Sequence, residues 1–525
     1  MAQPIAEQLA KGQREISISE FFVKNKHLLG FDNTRKALLT TIKEAVDNSL
    51  DACDESKILP EIKVEVTPLS EKRFKVIVED NGPGIVKEQI PRIFAKLLYG
   101  SKFHRLKQGR GQQGIGISAA VMYAQLTTGK AAKITSKIAP KRPAHYYELN
   151  LDTKKNEPEI VEDKEVEWDK NTGTKIEIEL EATYQKGQQS IDEYLKQTAI
   201  VNPHLQLVYR NPEGEKLEFP RAVNKPPVEP KEIKPHPYGV ELGILIKMLQ
   251  DTKSKNLSGF LQKEFSRVSA AIAKSICDKA GLDPNSRPGR IAREEADALY
   301  KAVNATKIMA PPTNCLSPIT AEAIEKGLKK EVSAEFYTAI TRPPKVYRGY
   351  PFQIEVGIAY GGSLPTDSQV RVMRFANRVP LQYQQAACAS TRSIIQTSWK
   401  NYGLSQSKGS LPVGPIAILV HIVSVWVPFT SESKEAIAHY PEIIAEMKLA
   451  LQECGRRLGS HIRKNVKSKQ QKERASLFEK YIPELASSLH NLTKENKEVL
   501  ITNLQKRLKK DLPLILGQDG TEEKE

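Results

Sequence analysis

The sequence predicts an α+β chain of several domains, and three observations carry that prediction. At 525 residues and 58.7 kDa the chain exceeds what one hydrophobic core organises, so roughly three or four domains are expected. Strand-like alternation and helix-like periodicity interleave as far as a charged, proline-rich stretch at 220–237, which reads as a linker. Beyond it the pattern changes: 238–310 is helical almost throughout, and 311–470 alternates strands with helices. The division expected is a polar arm at 1–20, domains at 21–228, 229–310 and 311–470, and a helical extension with an acidic tail at 471–525.

The first element is a helix around Lys43-Glu44-Ala45-Val46-Asp47-Asn48-Ser49-Leu50-Asp51-Ala52. At 100° per residue, Asp47, Asn48 and Asp51 fall within about 60° of Glu44. Leu39, Ile42, Val46, Ser49, Leu50 and Cys53 fall on the far side and form the buried stripe. The acid-and-amide stripe lines whatever lies over the helix. Alone, it suits a solvated face as well as a functional one.

A strand follows, in which Phe74, Val76 and Val78 alternate with Lys75. It ends in Glu79-Asp80-Asn81-Gly82-Pro83-Gly84. A carboxylate at a strand end, over a glycine-rich turn, can accept from an exocyclic amine without backbone crowding. Alone, an ordinary Asp-Asn-Gly turn is the plainer reading. Next comes Gly109-Arg110-Gly111-Gln112-Gln113-Gly114-Ile115-Gly116, which contains G-x-G-x-x-G. A dinucleotide fold is rejected: 101–108 is a basic polar loop rather than a strand, and no acid lies about 20 residues on. A Walker A loop is rejected because no Gly-Lys-Ser/Thr closes the motif. What remains is a basic loop ending in a glycine cradle at the start of a helix over 117–126, which offers N–H groups and a positive dipole to phosphates. Gly173-Thr174 then opens a strand at 175–180.

Past the linker, helical runs at 242–249, 260–280 and 291–303 are expected, with a tight double turn at 281–290. Strands are expected at 352–358, 371–379 and 416–427, and a helix from 393. From 440 onward Ile444, Met447, Leu451, Cys454, Leu458 and Ile462 recur at steps of three or four, giving a long amphipathic helix to about 469. Its end is basic, with Arg463, Lys464, Lys467, Lys469, Lys472 and Arg474.

The net charge of +16 and pI near 9.3 favour a polyanionic partner, nucleic acid before an anionic membrane. Five scattered cysteines without a C-x-x-C argue against zinc or a disulfide framework and suit a reducing cytoplasm. No signal peptide opens the chain. The longest apolar run, 413–429, is interrupted by Pro415, His421 and Ser424 and reads as a buried strand, not a membrane span.

The order of acidic helix, Asp80-Asn81-Gly82-Pro83-Gly84, glycine cradle and Gly173-Thr174 resembles the Bergerat α/β sandwich of the GHKL ATPases. With Val427-Pro428-Phe429-Thr430-Ser431-Glu432-Ser433-Lys434-Glu435, the stretch from about 15 to 470 is similar to the B subunits of type IIB DNA topoisomerase VI from archaea. That resemblance implies ATP and Mg²⁺ as cofactors. It implies Glu44 as the general base, Asn48 as the Mg²⁺ ligand, Asp80 as acceptor of the adenine amino group, and Thr174 as its support. It implies a lid and phosphate cradle drawn from Ser101, Lys102, Arg110, Gly111, Gln112, Gln113, Gly114, Ile115, Gly116 and Ile117. Lys434 matches a switch lysine that reaches the γ-phosphate. Residues 229–310 would form a helix-two-turns-helix domain, and 311–470 a ribosomal-S-five-like transducer with the long helix at its end.

The partners implied are a topoisomerase VI A subunit, in a complex of two A and two B subunits, a B–B homodimer formed on ATP binding, and double-stranded DNA. No membrane is involved, and the location implied is cytoplasmic, with the nucleoid. The absence of an Asp-x-Asp pair fits a chain that leaves DNA cleavage to that partner. The alternative is another GHKL clamp of the MutL mismatch-repair type; the helical insert and the Lys434 context weigh against it. A histidine kinase would need a phosphoacceptor His in a preceding helix, and only His27 lies before Glu44. A DNA-binding protein with a relic nucleotide fold is disfavoured by the intact Glu44, Asn48 and Asp80.

Overall fold

The computed structural model describes residues 5–10, 13–102, 105–111, 114–431 and 433–515, with only the backbone at 6–8, 472, 474–475 and 509–515. The amino-terminal arm carries two short helices, α1 (Ile5–Ala10) and α2 (Ile18–Lys24). The second starts inside the expected arm because Ser17 caps it, accepting from the Glu20 N–H. The Ser17 and Ser19 hydroxyls both donate to the Thr153 carbonyl, at 2.7 and 2.8 Å, and tie this segment down.

Helix α3 (Thr34–Glu55) is capped by Asn33, whose side chain accepts from the Lys36 N–H at 2.8 Å. Its buried stripe of Leu38, Ile42, Val46, Leu50 and Cys53 packs on a sheet, as the 3.6-residue period requires. In chain order there follow β1 (Glu61–Pro68), β2 (Arg73–Glu79), α4 (Ile90–Ala95), α5 (Gly116–Thr128), β3 (Ala132–Lys137), β4 (Ala144–Asp152), β5 (Glu157–Val166), β6 (Gly173–Glu181), α6 (Ile191–Val201), β7 (Gln206–Arg210) and β8 (Lys216–Phe219). The strand order is β5-β4-β3-β6-β2-β1-β7-β8, antiparallel except between β1 and β7. Phe74, Val76 and Val78 of β2 sit opposite Leu180, Ile178 and Ile176 of β6, so one face is continuously apolar and the helices cover it. This is a two-layer α/β sandwich.

The proline-rich stretch is a strap rather than a free linker. The Lys231 N–H donates to the Asn314 carbonyl at 2.9 Å and the Ile233 N–H to that of Leu106 at 3.1 Å. Beyond it come α7 (Leu242–Asp251), α8 (Leu257–Glu264), α9 (Ala270–Ala280) and α10 (Arg293–Asn304), around a core of Leu245, Leu249, Phe260, Ile276, Leu299 and Val303. The single helical run expected over 260–280 is broken between α8 and α9. Arg267 is left-handed (φ 62°) and Ser269 starts a new helix as its N-cap.

The next part contains α11 (Ala321–Glu331), β9 (Phe336–Thr341), β10 (Lys345–Tyr347), β11 (Tyr350–Tyr360), β12 (Arg371–Ala376), β13 (Val379–Pro380), α12 (Ala389–Gln396) and β14 (Ile416–Ser424). The sheet runs β10-β11-β14-β12-β13, with β9 also on β11, and β14 is buried along its whole length. The strand expected over 371–379 is a hairpin instead. Asn377 and Arg378 are both left-handed (φ 48° and 67°), as a two-residue turn demands. The strand expected to run to 427 ends at Ser424, whose hydroxyl accepts from the Trp426 N–H at 3.1 Å. Helix α11 packs on α6 so closely that a Cβ at Gly327 would lie 2.2 Å from the Ile200 carbonyl oxygen.

Helix α13 (Pro441–Thr493) runs past the expected end at about 469, and α14 (Lys497–Ile515) follows. The chain forms two compact units: Met1–Thr397 with Ser407–Cys454, and Ser398–Gln406 with Gly455–Glu525. In the first, Met447, Leu451 and Cys454 are buried, and the Cys454 thiol donates to the Val356 carbonyl at 3.7 Å. In the second, a Cβ at Gly455 would lie 2.4 Å from the Tyr402 ring, so only glycine permits that contact. Arg463, Lys464, Lys467 and Lys469 are exposed. All five cysteines are buried and none is in a disulfide. Among the described residues no helix is long and apolar enough to cross a membrane.

Candidate functional site

Above the helical layer of the first sheet lies a cavity of about 880 Å³. Its floor is the Glu44–Asn48 face of α3, and one wall is the end of β2 with Asp80. Gly111, Gly114, Ile115, Gly116 and Ile117 close a second side, and Ser433, Lys434 and Glu435 a third. Ser101, Lys102 and Thr174 complete the expected residues that line it. Gln112 and Gln113 lie outside the described residues.

The acidic stripe of α3 divides between two tasks. Glu44 and Asn48 face the cavity; Asp47 and Asp51 do not. Asp51 is buried and pairs with Lys102 at 2.7 Å and Arg110 at 2.9 Å. Asp47 accepts from the Tyr194 hydroxyl at 3.0 Å. Burial raises the Asp47 carboxyl to about 6; Lys43 and Arg110 pull it down, and the Glu44 and Asp51 charges push it up. Burial opposes the charge on Asp51 too, but Lys102 and Arg110 outweigh it and hold that carboxyl below the usual range.

Arg110 departs from the expectation. Its guanidinium is buried outside the cavity, donating to Asp51, to Asp54 at 2.8 Å and to Asn202 at 2.6 Å. A buried guanidinium needs carboxylates, and α3 presents two a turn apart. Arg110 therefore anchors the loop, and of its two neighbours only Gly111 meets the cavity.

Glu44 is half-buried, with the Lys43 ammonium 3.3 Å from its Oε1. A Cβ at Gly116 would lie 1.8 Å from Glu44 Oε2, so the start of α5 meets Glu44 only because residue 116 is glycine. Among the described residues no side chain caps that helix start, so its first N–H groups are available to an anion. The Asn48 side chain is exposed to the cavity and makes no hydrogen bond among the described residues.

Asp80 sits in a built pocket. Its Oδ1 accepts from the N–H groups of Gly82 at 2.9 Å and Thr174 at 3.1 Å, and its Oδ2 from the Ser49 hydroxyl at 2.7 Å. Burial raises its pKa, and these three donors oppose the rise. Gly173 adopts φ 144°, and a Cβ there would lie 2.2 Å from the Asp80 carbonyl oxygen. The Thr174 hydroxyl bonds that of Ser136 at 3.1 Å.

Lys434 enters from the second sheet's side. Its Nζ is 3.4 Å from the Arg110 carbonyl oxygen, and its backbone is left-handed (φ 53°). Burial lowers its pKa, with Glu44 pulling it up and Lys43 pushing it down.

Sequence reasoning missed several lining residues. Ser49 fell on the buried stripe, where a hydroxyl among apolar neighbours was the available signal of a partner. Lys43, Phe21 and Phe22 also line the cavity, and Lys36 pairs there with Glu435. Nothing local in the sequence links those last two.

Residues 33–184 match the family model "Histidine kinase-, DNA gyrase B-, and HSP90-like ATPase", and residues 311–474 match "Topoisomerase VI B subunit, transducer". Among similar curated proteins is the B subunit of type 2 DNA topoisomerase 6 from Methanococcoides burtonii, 53% identical over 490 residues, covering 93% of this chain and 79% of that one. The protein of the same name from Methanosarcina mazei is 51% identical, covering 95% and 81%, and that from Archaeoglobus fulgidus 48%, covering 93% and 81%. The two matched regions are the ones that build the cavity and reach into it, and the chain belongs to the topoisomerase VI B-subunit family, the ATPases of type IIB DNA topoisomerases.

Proposed function

We propose that this protein is an ATP-operated gate. Two copies join when ATP binds, hold a DNA duplex between them, and separate after hydrolysis. A topoisomerase VI A subunit, two per two B subunits, cuts the second duplex, and the coupled passage relaxes supercoiled DNA. The working parts are an ATPase domain at 21–228, a helix-two-turns-helix domain at 229–310 and a transducer at 311–470. The observation that carries this reading is Lys434: it belongs to the transducer segment yet lines the cavity that Glu44 and Asn48 floor.

In this reading the adenine amino group donates to Asp80, whose Oδ atoms are already aimed by Ser49, Gly82 and Thr174. The phosphates lie along Gly111, Gly114 and Gly116 and the first N–H groups of α5. Asn48 fits Mg²⁺ as a single neutral oxygen donor, because its amide bonds no side chain among the described residues, whereas Asp51 is consumed by Lys102 and Arg110. Bound there, Mg²⁺ would neutralise phosphate charge. Glu44 takes the proton of the attacking water as oxygen bonds to the γ-phosphorus, and the bond to the ADP oxygen breaks. Lys43 holds the Glu44 carboxylate in place, and Lys434 offsets the charge on the departing phosphoryl group.

Lys434→Ala tests the coupling. The variant is expected to bind ATP normally, hydrolyse it slowly, and fail to relax supercoiled DNA with the A subunit. Wild-type hydrolysis and relaxation would make Lys434 a bystander.

A further inference from the structure

Lys434 is held in a left-handed backbone conformation, which costs a non-glycine residue roughly 1–2 kcal/mol. Something must hold it there, and the next residue does. Glu435 is buried. Its Oε1 meets the ammonium of Lys36, and its Oε2 accepts from the Gln384 side chain at 2.7 Å. Its carbonyl accepts from buried Arg374 at 3.4 Å. Lys36 lies on α3, two turns before Glu44, with its ammonium 5.2 Å from the centre of the Tyr383 ring. Lys36 also pairs with Asp32 at 3.0 Å, near the rim.

The left-handed residue sends successive side chains apart: Lys434 toward the Arg110 carbonyl, Glu435 toward the start of α3. We infer that Lys36 and Glu435 form a positioning pair, which fixes the loop so that Lys434 is aimed into the cavity before any phosphate arrives. The inference rests on the proposed role of Lys434. It adds that this aim is set by α3, the same helix that carries Glu44 and Asn48. Both partners are largely shielded from water, with side-chain exposures of 12% and 8%, so the pair escapes the screening that makes surface pairs weak. Another pair between these parts of the chain, Arg371 with Glu193, is more open and has no phosphate-facing neighbour.

The test uses the whole 525-residue chain with its A partner and five variants: Lys36→Met, Glu435→Gln, those two combined, Lys434→Ala as reference, and Lys434→Ala with Glu435→Gln. Each single variant is expected to lower kcat for ATP roughly three- to thirtyfold, the range of coupling residues. Nucleotide Kd by calorimetry should stay within about twofold, because neither residue is assigned to adenine or phosphate. The combined variant should be no slower than the slower single one, as for residues acting as a unit. In a Lys434→Ala background, Glu435→Gln should change kcat no further. An equal additional loss there would make the pair mere scaffolding and overturn the inference, as would wild-type kcat in both single variants. Wild-type kcat in Lys434→Ala itself would instead sink the reading of Lys434. Glu435→Gln keeps shape and one hydrogen bond to Gln384, and Lys36→Met keeps the stem, so folded variants are expected by thermal unfolding.

Discussion

Glu44 and Asp47 lie one turn apart on α3 and differ in what surrounds them. Glu44 borders the cavity, the Lys43 ammonium and the first turn of α5. Glu44→Gln keeps that shape and removes the base. Hydrolysis should fall about 10²- to 10⁴-fold with ATP binding retained. A steady-state rate near wild type would show that another group takes the proton. Asp47 is buried and titrates near 6, above the usual carboxylate range. A carboxyl raised on folding binds its proton more tightly in the folded state between about pH 4 and 6. Its contribution therefore falls as pH rises through that window and stays low above it. Asp54 works in the opposite sense: burial opposes its charge, but Arg110 and His204 outweigh that and lower its pKa, so its stabilisation is lost in acid. Asp47→Asn should thus gain up to about 3 kcal/mol relative to wild type between pH 4 and 7. Thermal unfolding at several pH values measures it, and a parallel pair of curves would refute the assignment.

At the scale of elements, the decisive contact is the start of α5 against α3. Alanine favours a helix, so Gly116→Ala should not harm α5 itself. Its Cβ would nonetheless fall 1.8 Å from Glu44 Oε2 and push the carboxylate aside. Hydrolysis should drop about 10²-fold, the usual cost of misplacing a group by an ångström. Unchanged kcat would mean that Glu44 need not stand where it does. Elements also mark what the sequence could tell. The α3 stripes and the alternation along β2 were legible, because residues a few positions apart settle periodicity and alternation. The 371–379 hairpin was not, since its two-residue turn of Asn377 and Arg378 carries no glycine to mark it within a strand-like run. Arg110 was misplaced because its partners come from α3 and from Asn202, beyond α6, which no local pattern joins. Lys36 and Glu435 were invisible for the same reason.

Across the whole molecule, the cavity draws on segments from Phe21 to Glu435, so a ligand there ties together parts remote in sequence. On the gate reading, an ATP analogue that cannot be hydrolysed should drive two copies together, because a bound γ-phosphate can hold a basic loop in one of two arrangements. Sedimentation at saturating analogue should give a dimer. A monomer with binding confirmed would sink the gate. The five buried cysteines open a different route to the same question. Only thiolates react readily, and burial pushes the Cys277 and Cys315 thiols up to about 11. Because all five are buried, the native chain is expected to take up maleimide dyes slowly. One cysteine introduced on an exposed surface, at Leu485 for example, would carry one dye per copy without stripping the natural thiols, and mixing donor-labelled with acceptor-labelled copies would let their joining and parting be followed by energy transfer.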